Sequence, residues 1–120
     1  MIAADRNSLT MPNDTINRIE ERLKSARTLN DETRKELLSL LTELKKEVSG
    51  LAETHGDQAQ SIAGFAQLSA HEATRDAKNP DALKHSIGGL EASVSEFEQS
   101  HPKLVAAANR ICTALSNLGI

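Results

Sequence analysis

The sequence predicts an all-α protein, an antiparallel helical bundle of four to five helices with heptad-like seams that oligomerisation can complete. Apolar residues recur at helical spacing in five segments. Capping residues, prolines and glycines punctuate the gaps between them. Aromatics are scarce, two Phe with no Trp or Tyr, so the core is built from Leu, Ile, Val and Ala.

Residues 1–12 read as a flexible leader, because the first ten show no periodicity. Met11-Pro12-Asn13-Asp14 then reads as a second start, with Asn13 or Asp14 placed to cap a helix. The competing reading is an ordered arm packed through Ile2 and Leu9. A single helical domain follows over residues 13–120. Its first helix, about 14–26, carries Ile16, Ile19, Leu23 and Ala26 on one stripe. Asn30 or Asp31 caps the second, about 31–54, and acidic residues fill its first turn. There Leu37, Leu41, Leu44, Val48 and Leu51 step by four and three in alternation, a heptad seam that Leu38 and Leu40 widen.

His55-Gly56 closes that helix, and Asp57 with Gln60 forms a capping-box-like start for a third, about 57–77. Its apolar content thins to Ile62, Phe65 and Leu68 among Ala, Ser and Gln. Asn79-Pro80 opens the fourth, about 80–99, whose seam is Leu83, Ile87, Leu90, Val94 and Phe97. Gly88-Gly89 lies in its middle, where each glycine costs ~1 kcal/mol against alanine. A close neighbouring backbone or a kink would account for the pair, and the reading here is a continuous helix. Ser100-His101-Pro102 is the next corner, with Ser100 as the cap. The fifth helix, about 101–118, runs through Leu104, Ala108, Ile111, Leu115 and Leu118, the most apolar of the five. It closes with Gly119 as C-cap and Ile120 folding back onto Leu115.

At 120 residues and a net charge of −3, with basic and acidic residues interspersed, the chain lacks the one-sided basic patch of a nucleic-acid binder. Its longest apolar run, Val105 to Ala108, falls far short of the ~20 residues of a membrane span. A lone cysteine, Cys112, suits a reducing compartment, and the N-terminus has no signal-peptide pattern, so the expected location is cytoplasmic.

No enzyme is expected. His55, His71, His85 and His101 form no zinc-binding spacing, and no base lies within a turn or two of Cys112. Glu98-x-x-His101 is a single copy of a di-iron half-motif and spans a helix break. The carboxylates alternate with Lys and Arg as on a solvated face, and no phosphate loop is present. Catalytic residues, metal ligands and cofactors are therefore expected to be absent.

The C-terminal run FEQSHPKLVAAANRICTALSNLGI, through Phe97, Glu98, Ser100, His101, Pro102, Leu104, Leu115, Gly119 and Ile120, resembles a family of short bacterial proteins of unknown function. That family ends in Phe-Glu-x-Ser-His-Pro-x-Leu, an Ala- and Leu-rich helix and a small-residue–Ile close. Residues 11–51 are similar to its first half, whereas 52–80 are longer than its pattern and have no counterpart in it. The resemblance implies a bacterial source and the Met11 start. It implies no activity.

The expected function is a protein–protein interaction or self-assembly module, pairing with itself or another helical protein. The second and fourth helices carry its candidate interaction seam, Leu37 to Leu51 and Leu83 to Phe97. Ser100, His101 and Pro102 are a structural corner or a binding position. The alternative is a regulatory protein holding a small apolar ligand, with His101 and Gly88-Gly89 at the mouth of its site.

Overall fold

The computed structural model describes residues 12–119, all five expected helices among them: α1 (Pro12–Ser25), α2 (Asp31–Ala52), α3 (Gly56–Thr74), α4 (Pro80–Ser95) and α5 (Pro102–Gly119). The expected leader lies outside the described residues except for Pro12, which is buried in the first turn of α1. Proline suits that turn because its missing N–H would be unpaired there anyway. The expected fold-back of Ile120 also lies outside the described residues, and α5 continues through Gly119.

Two caps form as the sequence suggests. Asn30 Oδ1 accepts the amide of Thr33 at 2.8 Å, and Asn79 Oδ1 that of Ala82 at 3.1 Å behind Pro80. The capping box at Asp57 does not form. Instead α3 starts one residue earlier, and the His55 carbonyl accepts the Ala59 amide at 2.9 Å. Four helices end sooner than their patterns predict, α1 and α2 by a residue or two and α3 and α4 by more. α3 stops at Thr74 because Arg75 turns extended and other groups take the final carbonyls. α4 stops at Ser95 and tightens into a turn over residues 96–100, where the Phe97 amide reaches Val94 and that of Glu98 reaches Ser95.

Side-chain pairs fix the helix directions. Lys45 donates to Asn17 and Ser49 to Asn13, so α1 and α2 run antiparallel. Gln60 meets Thr15 while Arg22 meets Thr74, so α3 runs with α1. α1 packs on α2 and α3, α4 on α3 and α5, and α2 on α5, while α3 touches all four other helices. The result is two layers, α1, α3 and α4 lying over α2 and α5, with α3 in the middle of the upper three.

That position explains the composition of α3. Its inner face is Ala59, Ile62, Ala63, Ala66, Ser69, Ala70 and Ala73, all buried. Small side chains let four helices approach one axis, because interaxial distance follows the residues at the contact. The helix expected to bury least is the hub. The seams of α2 and α4 are buried throughout, from Leu44 and Leu90 at 0% exposed to Ile87 at 7%.

Three cations close the helix ends. The Arg34 guanidinium donates to the carbonyls of Leu23, Ala26 (3.0 Å) and Leu29 (2.9 Å), capping the end of α1. Arg22 donates to Thr74 Oγ1 at 2.8 Å and to the His71 carbonyl at 3.4 Å, and Lys78 to the carbonyls of Ala73 and Leu118, the last turns of α3 and α5. Each satisfies carbonyls left open by the helix and meets its negative end. Arg34→Ala should therefore lower unfolding free energy in urea by about 1.5–3 kcal/mol, and Lys35→Ala on the exposed face by less than about 0.5 kcal/mol.

Candidate functional site

Every seam residue, Leu37, Leu41, Leu44, Val48, Leu51, Leu83, Ile87, Leu90, Val94 and Phe97, is buried within the single chain. The interaction seam is thus core, and no face of it is left for a partner.

The exposed hydrophobic surface lies on α3. Phe65 and Leu68 are the large apolar side chains exposed among the described residues, at 37% and 47%. They sit one turn apart on the outer side of the middle helix, flanked by α4. The sequence placed them with Ile62 as the helix's apolar content, but Ile62 alone is buried. The separating signal is angular. Three residues turn a helix about 300°, so each step from Ile62 to Phe65 to Leu68 falls about 60° short and walks out of the core.

Phe65 is also held in place. A Cβ added at Gly89 would lie 2.5 Å from its Cδ1, closer than van der Waals contact permits. The close approach anticipated at Gly88-Gly89 is therefore a Phe65 ring over Gly89, and α4 runs unbroken through both glycines. Beside it a shallow cleft is lined by Gln58, Ser61, Phe65, Gly89, Ala92 and Glu96. Gly64 and Gly88 differ, for a Cβ at either meets nothing within 4 Å.

The corner at Ser100-His101-Pro102 gathers three rings. His55 and His101 both meet Phe97 edge to face, at centroid distances of 5.4 and 5.5 Å, and lie 6.4 Å from each other. The Thr54 hydroxyl pairs with His55 Nδ1 and the Ser100 hydroxyl with His101 Nδ1. Ser100 thus serves its neighbour's ring, and the His101 carbonyl accepts the Val105 amide at the start of α5. With Phe97 3% exposed, the corner locks the ends of α2 and α4 to the start of α5. The cleft beside Gly89 is not lined by His101. No group of three His, Cys, Asp or Glu placed to hold a metal occurs among the described residues.

Cys112 is buried, and burial first, then the Glu91 carboxylate, pushes its thiol up from 9.0 to about 12. A neutral buried thiol is a poor nucleophile. No described helix is long and apolar enough to cross a membrane.

The sequence profile of a domain of unknown function, DUF4404, matches residues 13–120, including the central region 52–80 that seemed to lack a family counterpart. The chain belongs to that family. Neither a curated protein nor a solved structure matches it.

Two outcomes follow. Gly89→Ala should move the unfolding free energy in urea by less than about 1 kcal/mol, because alanine's gain in helix propensity offsets moving the half-exposed Phe65 ring off the added methyl. The folded protein should resist alkylation at Cys112 at pH 8. The folded thiol keeps its proton to about 12 while an unfolded one loses it near 9.0, so stability should fall as pH rises above that lower value.

Proposed function

We propose that this DUF4404 member is a non-catalytic interaction module that docks protein through the outer face of α3, with the adjoining edge of α4. The exposure of Phe65 and Leu68 carries the reading. Two large apolar side chains one turn apart on a helix are the kind of anchor that helix-to-helix recognition uses, and covering them would gain free energy that folding leaves unused. Around them α3 and α4 present small, uncharged residues: Ser61, Gly64, Gly88 and Ala92. A helix can therefore lie against them without burying an unpaired charge.

This reading keeps the interaction role expected from the sequence and moves it from the seams to the opposite side of the helices. The alternative, a small apolar ligand between His101 and Gly88-Gly89, loses support because the Phe65 ring fills the notch at Gly89.

A photoreactive benzoylphenylalanine at Leu68 tests it, with the same probe at Thr113, exposed on α5, as control. In cells expressing the protein, illumination should give a discrete adduct from the Leu68 position and none from Thr113. Adducts from both positions, or from neither, would mean that the α3 face is ordinary surface.

A further inference from the structure

We draw no further inference here: the strongest candidate, the exposed apolar pair Phe65 and Leu68 on the outer side of α3, belongs to the site already described, and nothing in the structure shows what covers it.

Discussion

Everything in this bundle depends on α3 being thin. A five-helix chain can bury its apolar stripes in two layers only if the middle helix of the three lets its neighbours close over it. Ala59, Ala63, Ala66, Ala70 and Ala73 give it that slimness, and the contacts with all four other helices follow. Alanine contributes little buried area by itself, so the stabilisation is collected by its neighbours: Leu44, Leu51, Leu90 and Leu104 are each 0% exposed. At roughly 25 cal/mol per Å² of apolar surface, those leucines gain more than the alanines forgo. Ser69 departs from this pattern: it is fully buried with no partner for its hydroxyl among the described residues, a cost of about 1–3 kcal/mol that alanine at that position would not carry.

The same constraint creates the outer face. A helix lying over two others and between two more has one side left over, and on α3 that side carries Phe65 and Leu68. Had the chain needed only to fold, polar residues there would serve as well as on α2, where Lys35, Ser39, Thr42 and Lys46 face solvent. The apolar pair is extra to the requirements of the core. It is extra in a particular place, where Gly89 of α4 lies under the Phe65 ring.

What the sequence disclosed depended on whether the deciding partner was near in the chain. The heptad steps of α2 and α4, the Asn30 and Asn79 caps and the proline starts are local patterns, and the structure realises them as core and helix ends. The stripes read as an interaction seam are core within the chain, and a heptad stripe reads the same whether its complement comes from the same chain or another. The hub role of α3 was hidden because its small residues give almost no periodic signal. Arg34, Arg22 and Lys78 read as solvated charges, since the carbonyls they cap belong to other helices or to turns that only the tertiary fold brings near. Exposure of Phe65 and Leu68 was the one long-range fact within reach, through their drift away from Ile62.

The ends of the bundle are occupied by interactions that the fold itself uses. At one end Phe97 holds His55 and His101 edge to face and ties α2, α4 and α5 together, each imidazole already paired with a hydroxyl. At the other, Arg22, Arg34 and Lys78 are spent on helix carbonyls and Arg75 on Glu72, so the basic character of that end is consumed in holding α1, α3 and α5. A ligand drawn to either end would have to displace bonds the fold is using. On the outer side of α3 it would displace only water from two apolar side chains, which is where binding gains free energy without a structural cost.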